Sequence, residues 1–226
     1  MVLCMPDDIP DKVHVAHGNI EELKHFYKNW DPRWAMFCLC HTILSSLTST
    51  SIVKLINISK TADKWKLCIR EELDRWYHPS GTLVLLGDAV HATLPYLSSG
   101  AGMTLEDAAA LGECLSRIKS KSSAEIQHAL AVFQKCRQRR TERIVKRSSL
   151  QQYLSHLPDG PEQEQRDALL RTSGPVRGEA FVWRDPDIGP WLLGYDHVQD
   201  VSTPGRSTAG KLCLCDFANA IFVLGV

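Results

Sequence analysis

Residues 82–86 read Thr-Leu-Val-Leu-Leu, a continuous apolar run of strand length between Gly81 and Gly87, the pattern of a buried strand. Upstream, Trp65-Lys66-Leu67-Cys68-Ile69 alternates and predicts a strand, and His78-Pro79-Ser80-Gly81 predicts a turn. Asn19 predicts the cap of a helix running through Tyr27, with Glu21 and Glu22 favourable in its first turn and Trp30-Asp31-Pro32-Arg33 ending it. Residues 2–5 read as a strand stub broken by Pro6, and residues 8–11 as a turn. Residues 34–50 carry a Ser/Thr cluster without a clean period, and residues 52–58 fit helix or strand equally.

After the apolar run comes a glycine- and proline-bearing loop, residues 87–103, and then a helix. Thr104 is its expected N-cap, with Leu105, Ala108, Leu111, Leu115 and Ile118 at helical spacing. A longer helical pattern runs from about residue 123 to 156, with Ile126, Leu130, Phe133, Cys136 and Ile144 on its apolar side. From residue 157 onward, prolines at 158, 161, 175, 186, 190 and 204 predict loops. The chain divides on this reading into residues 1–80 with an irregular insert at 34–51, residues 81–157, and a loop-rich extension 158–226. The fold class is α/β, as an α+β fragment with long C-terminal helices.

Charge and composition narrow the classes. Twenty-six Lys and Arg balance twenty-six Asp and Glu, and 44% of the 226 residues are hydrophobic, which excludes a disordered chain and a wholly basic nucleic-acid binder. The basic run Lys135, Arg137, Arg139, Arg140, Arg143, Lys146 and Arg147 reads as a solvated helix face, so no nucleic-acid partner is expected. The longest largely apolar stretch, residues 35–47, is too short to span a bilayer, so no transmembrane segment is expected. No secretory signal pattern is read at the start of the sequence, so the expectation is a cytoplasmic chain with its eight cysteines reduced. The Cys38/Cys40 and Cys213/Cys215 pairs are spaced too tightly for structural zinc, and no metal site is expected.

Chemistry concentrates between strand and helix. Asp88, just past the end of a buried strand, stands where ligands of open α/β sheets bind and can accept hydrogen bonds from sugar-like hydroxyls. Gly87 allows a sharp turn and close approach, and Gly100-Ala101-Gly102 leaves amides uncovered before the helix, where negative charge is favoured. His91 reads as a packed histidine, and Glu106 and Asp107 as acidic residues serving the first turn of the helix.

Residues 85–108, Leu-Leu-Gly-Asp-Ala-Val-His-Ala-Thr-Leu-Pro-Tyr-Leu-Ser-Ser-Gly-Ala-Gly-Met-Thr-Leu-Glu-Asp-Ala, resemble the second flavin motif of FAD-dependent aromatic-ring monooxygenases. The nearest group is the salicylate-hydroxylase-like enzymes of the para-hydroxybenzoate hydroxylase fold. The flanks resemble it too, at Asn29-Trp30-Asp31-Pro32-Arg33, Trp183-Arg184-Asp185-Pro186 and Trp191-Leu192-Leu193-Gly194-Tyr195-Asp196. The resemblance implies hydroxylation of an aromatic or polyketide-like small molecule with NAD(P)H and O₂. It implies FAD contacts at Gly87, Asp88, Pro95, Gly100, Ala101, Gly102 and Met103, Asp88 toward the ribityl or pyrophosphate region and Pro95 with Gly100, Ala101, Gly102 and Met103 along the isoalloxazine edge. No G-x-G-x-x-G follows a strand, so the expectation is a truncated enzyme, an incomplete FAD/NAD(P)-binding fold lacking the N-terminal βαβ unit, with a non-catalytic remnant or interaction module unable to bind FAD alone as the alternative. No catalytic residue is assigned. Apolar surface left by the missing unit would need a partner to cover the exposed FAD face. Residues 34–51 and 206–226 depart from the family pattern and read as translated intron or alternative-frame sequence.

Overall fold

The computed structural model describes residues 5, 8–10, 12–28, 56–120, 122–177 and 184–202. The irregular insert, the C-terminal segment, both Cys-x-Cys pairs and most of the N-terminal strand stub lie outside the described residues. The chain forms two compact units, Met1–Leu67 and Cys68–Val226.

In the first unit β1 (Val15–Gly18) pairs antiparallel with β2 (Ala62–Trp65), Val15 opposite Trp65 and Gly18 opposite Ala62. Between them in sequence, α1 (Ile20–Tyr27) starts where expected, with Asn19 Oδ1 accepting from the Glu21 amide at 2.9 Å. The alternation at 65–69 is displaced from the strand it was expected to mark. Only Trp65 is in β2, and Leu67 and Ile69 are exposed, so that alternation buries no face. Lys64 holds the sheet to its surroundings, its Nζ 2.6 Å from Asp8 Oδ2 and 2.8 Å from Glu22 Oε1.

The second unit is helical: α2 (Asp88–His91), a 3-10 turn at Pro95–Leu97, α3 (Gly100–Ser116), α4 (Ser123–Ser155), α5 (Pro161–Arg171), α6 (Ile188–Leu193) and α7 (His197–Ser202). The apolar run at 82–86 does not form the buried strand expected of it. It folds back from the turn at 78–81 as a hairpin arm, with the His78 amide donating to Leu83 O and the Leu85 amide to Trp76 O. Val84 pairs singly with Tyr77, and Leu83 stays exposed. No second strand among the described residues lies beside this arm to extend the ladder, and an isolated strand has nothing to satisfy its outer edge.

Helices α3 and α4 pack around two apolar clusters. One joins Trp76, Val90, Ala110, Cys114, Phe133 and Cys136; the other joins Leu97, Met103, Ile144, Ile188 and Leu192. The N-terminus of α4 is a capping arrangement: Ser122 Oγ accepts from the Glu125 amide, and Glu125 Oε2 accepts from the amides of Lys119 and Ser120. Helix α3 departs from expectation twice. It begins at Gly100 rather than after Thr104, so the glycines expected in a loop form its first turn. Its buried residues are Met103, Asp107, Ala110 and Cys114, whereas Leu105, 72% exposed, and Leu115 face outward. The stretch expected to be loop contains α5, whose Pro161 occupies the first helical position, where a missing N–H costs nothing. Among the described residues no helix is long and apolar enough to cross a membrane.

Candidate functional site

Gly87 makes the turn that presents Asp88. Its φ of 62° is left-handed, and a Cβ there would stand 2.9 Å from Thr104 Oγ1, so both backbone shape and the close approach of α3 require glycine. Its carbonyl accepts from the amides of Val90 and His91, both at 3.0 Å, closing α2 into one turn. Its amide donates to Asp107 Oδ2 at 2.9 Å. His91 is packed, as expected, and its partner is the same atom: Nε2 lies 2.6 Å from Asp107 Oδ2. An ionised carboxylate only accepts, so the imidazole carries its hydrogen on Nε2. Asp88, one residue past the turn, is exposed.

Asp107 does not serve the first turn of the helix. It lies in the second turn with no solvent exposure, and its other oxygen, Oδ1, accepts from Arg137 Nε at 2.8 Å. Burial alone would raise its pKa, but hydrogen bonds from His91, the Gly87 amide and Arg137 hold it below the ordinary aspartate value. Glu106 is likewise drawn in. Its Oε2 takes Arg137 Nη2 at 2.7 Å and Arg140 Nε at 2.8 Å, and its Oε1 takes Arg140 Nη2 at 2.7 Å. Burial pushes Glu106 up, but Arg140 and Arg137 outweigh it and leave it lowered. Two carboxylates thus face two guanidiniums, and the cluster is balanced. The Tyr195 ring lies 4.6 Å from the Arg137 guanidinium and 4.5 Å from that of Arg140.

The basic run of α4 is therefore only partly a solvated face. Lys135, Arg139 and Lys146 are exposed, whereas Arg137, Arg140 and Arg147 are buried. The signal was readable: positions 137, 140 and 144 continue the stripe begun by Phe133 and Cys136, so two arginines fall on the apolar side.

The other half of the region is the start of α3. Ser99 supplies no side-chain cap, and the Met103 amide already donates to Ser99 O at 2.8 Å, leaving the Gly100, Ala101 and Gly102 amides as the helix's outward donors. Ala101 and Gly102 are exposed, Gly100 half-buried, and a Cβ at Gly102 would meet nothing within 4 Å. Pro95 opens the 3-10 turn at the surface. Met103 turns inward, its side chain in the second apolar cluster. The loop between the two halves is pinned to α4: Ser148 Oγ donates to Leu94 O at 2.5 Å, and the Tyr96 hydroxyl meets His156 Nε2 at 2.8 Å.

Gly87 packs on Thr104, and Thr93 Cγ2 lies 3.5 Å from where a Gly100 Cβ would be, so both halves run along the opening turns of α3. Asp88, Pro95, Ala101 and Gly102 stand on the exposed side, while Gly87 and Met103 are their buried supports. An open groove of about 470 Å³, lined by Leu83, Val84, Leu115, Ile118, Ile126 and Leu130, contains none of these residues. Among the described residues no group of three or more His, Cys, Asp or Glu is placed to hold a metal. Cys68, Cys114 and Cys136 are thiols and not disulfide halves.

No protein-family model matches the chain. It is 37% identical over 199 residues to the FAD-dependent monooxygenase OpS4 of Beauveria bassiana, covering 88% of this chain and 42% of that protein. It is 34% identical over 187 residues to 3-hydroxybenzoate 6-hydroxylase of Polaromonas naphthalenivorans, covering 83% of this chain and 39% of that protein. To 3-amino-4-hydroxybenzoate 2-monooxygenase of Streptomyces cremeus it is 35% identical over 141 residues, covering 62% and 32%. The chain thus spans well under half the length of these relatives. The fold is similar to that in the crystal structure of CtdE in complex with FAD and substrate 4, with a TM-score of 0.56 at 16% identity over 83% of this chain and 38% of that one. That likeness agrees with an incomplete α/β flavoprotein monooxygenase fold, a small two-stranded sheet with long helices and, among the described residues, no βαβ unit. A turn locked by a buried carboxylate beside an uncapped helix start, in a sequence this similar, marks the chain as a relative of the FAD-dependent aromatic monooxygenases that corresponds to part of such an enzyme.

Proposed function

We propose that residues 87–103 form the flavin-facing part of an FAD-dependent monooxygenase acting on an aromatic or polyketide-like small molecule, with NAD(P)H as co-substrate. The observation that carries this reading is the exposed start of α3, with outward amides at Gly100–Gly102, held against the same helix turns as the Asp88 bend. The residues fit the group. Helix amides and the helix dipole favour the negative charge that a reduced isoalloxazine carries, the open space at Gly102 admits a flat ring, and exposed Asp88 can accept from ribityl hydroxyls. Bound FAD would supply the redox chemistry, drawing reducing equivalents from NAD(P)H and delivering one oxygen atom of O₂ to the substrate.

The chain's own contribution is positioning. Gly100, Ala101 and Gly102 would hold the pyrimidine edge, Asp88 the ribityl or pyrophosphate region, and Pro95 would limit water at the ring. We place oxygenation in a whole enzyme of the relatives' length, with Leu83, Leu105 and Leu115 covered by its remaining part or by a partner chain. The test is equilibrium dialysis of the full chain against FAD and, separately, against AMP. Retention of FAD but not AMP, weakened in Asp88→Asn, is the expected result. Equal retention of both, or FAD binding indifferent to Asp88→Asn, overturns the reading.

A further inference from the structure

We infer that Asp107 is the positioning residue that aims Asp88. The argument starts from how short α2 is. A helix of four residues makes too few internal hydrogen bonds to hold itself, so something outside it must fix its direction. Both of its ends are lashed to one atom. Asp107 Oδ2 accepts from the Gly87 amide, which enters the turn, and from His91 Nε2, which leaves it, at 2.9 and 2.6 Å. The same carboxylate's Oδ1 is gripped by Arg137 of α4, itself held by Glu106. Thr104, one turn earlier on α3, packs so close to Gly87 that a Cβ there would stand 2.9 Å from its Oγ1. Asp88 is exposed, with Ala89, between the two lashings and is the residue there that carries a charge, so the direction of its carboxylate follows how Asp107 holds the turn. A charge-assisted hydrogen bond from a backbone amide is strong and directional, which suits a residue whose task is aim rather than contact.

Its consequence for cofactor binding rests on the reading of Asp88 as a flavin contact; the fixing of the turn does not. The full chain is therefore examined without ligand first, by amide hydrogen exchange of residues 87–91 against the middle of α4. Asp107→Leu, which removes both acceptor oxygens but keeps the branching of the side chain, is expected to speed exchange at Gly87 about tenfold or more beyond any speeding that the loss of the Arg137 pair causes in the middle of α4, the factor for one lost charge-assisted hydrogen bond. His91→Leu is expected to loosen residues 88–91, and His91→Gln, which keeps an N–H donor, to restore them. Wild-type exchange at Gly87 in Asp107→Leu, or equal behaviour of the two His91 variants, overturns the inference. Should Asp107→Leu fail to fold, the His91 pair decides.

FAD dialysis then closes a double-mutant cycle. If Asp107 acts through Asp88, then Asp88→Asn/Asp107→Leu binds FAD no more weakly than Asp88→Asn alone; losses that add contradict it. A wild-type chain that binds no FAD defeats the flavin reading, while the exchange data still decide the role of Asp107.

Discussion

Arg137 Nε donates to Asp107 Oδ1 over 2.8 Å, and neither side chain is exposed to solvent. The pair ties α3 to α4 in the middle of the unit, between the two apolar clusters. Its cost is the desolvation of two charges, offset by four further hydrogen bonds on the pair: from the Gly87 amide and His91 to Asp107, and from Arg137 to Glu106 and the Met103 carbonyl.

Breaking such a pair from one side leaves an uncompensated buried charge. Arg137→Met is expected to lower unfolding stability by about 3–5 kcal/mol, read from urea denaturation. Asp107→Leu/Arg137→Met, which removes both charges and leaves Glu106 with Arg140, is expected to recover part of that loss. A double variant weaker than Arg137→Met by the full Asp107→Leu increment would show that the two residues act independently.

The same cluster sets an acid limb of stability. Asp107 and Glu106 titrate below their ordinary values of 3.8 and 4.5 in the folded chain. A depressed folded pKa contributes stability that is present above the unfolded value and lost as pH falls through the folded one. Asp200 and Glu72, both raised chiefly by burial, have the opposite sign and soften the limb. Denaturation midpoints are expected to fall as pH drops below 4.5, and to fall less steeply in Glu106→Gln, which is weaker at neutral pH.

Gly87 gives a steric prediction. Gly87→Ala must adopt a left-handed φ and place its Cβ 2.9 Å from Thr104 Oγ1, a strain of about 1–3 kcal/mol. Thr104→Ala removes the colliding atoms, so Gly87→Ala/Thr104→Ala is expected to melt above Gly87→Ala, leaving only the backbone penalty. Equal melting of the two would show that φ alone makes the position intolerant.

How far these features were legible follows from how local their causes are. The start of α1 was readable because Asn19 caps within its own turn, and α4 because its apolar period runs for many turns. The flavin-like motif was legible as contiguous sequence, but not the start of α3: Gly100 and Gly102 have low helix propensity, and packing of Met103 against Leu97 and Ile144 overrides it. Asp107 was misread because a carboxylate inside a helix reads as solvent-facing until its partners are known. Those partners come from Gly87, twenty residues before it, and Arg137, thirty after. The run at 82–86 failed for a related reason, since a strand is defined by neighbours that a local pattern does not contain.

The thiols differ in reactivity for a physical reason. Burial pushes Cys114 up to about 11 and Cys136 up to about 12, so neither carries thiolate near neutral pH, whereas Cys68 is exposed. Iodoacetamide treatment of the native chain followed by peptide mass spectrometry is expected to label Cys68 and spare Cys114 and Cys136 until denaturant is added. Native labelling of Cys114 at the rate of Cys68 would contradict the packing of α3 against α4.

Exposed leucines make solubility testable apart from stability. Leu105 is 72% and Leu83 56% exposed, and Leu115 lines the open groove near Leu83, an apolar surface on a chain of zero net charge. Leu105→Lys/Leu115→Lys is expected to raise the soluble fraction and suppress light scattering, with unfolding stability within about 0.5 kcal/mol of the parent. A large loss of stability would mean that these side chains pack in solution.

Arg140 donates from all three of its guanidinium nitrogens, and lysine cannot replace it. Nε and Nη2 grip Glu106, while Nη1 and Nη2 donate to the carbonyls of Trp191 and Leu192 at 3.0 and 2.8 Å. Those carbonyls lie at the C-terminal end of α6, so one guanidinium ties residues 188–193 to α3 and α4, with the Trp191 ring stacked 5.0 Å from it. A lysine keeps the charge but has a single nitrogen for these four bonds and no planar face for the indole. Arg140→Lys is therefore expected to leave α3 and α4 folded but release residues 188–202, seen as faster limited proteolysis there with little change in helical circular dichroism. Unchanged cleavage would mean that Ile188 and Leu192, seated in the second apolar cluster, hold the segment without the arginine.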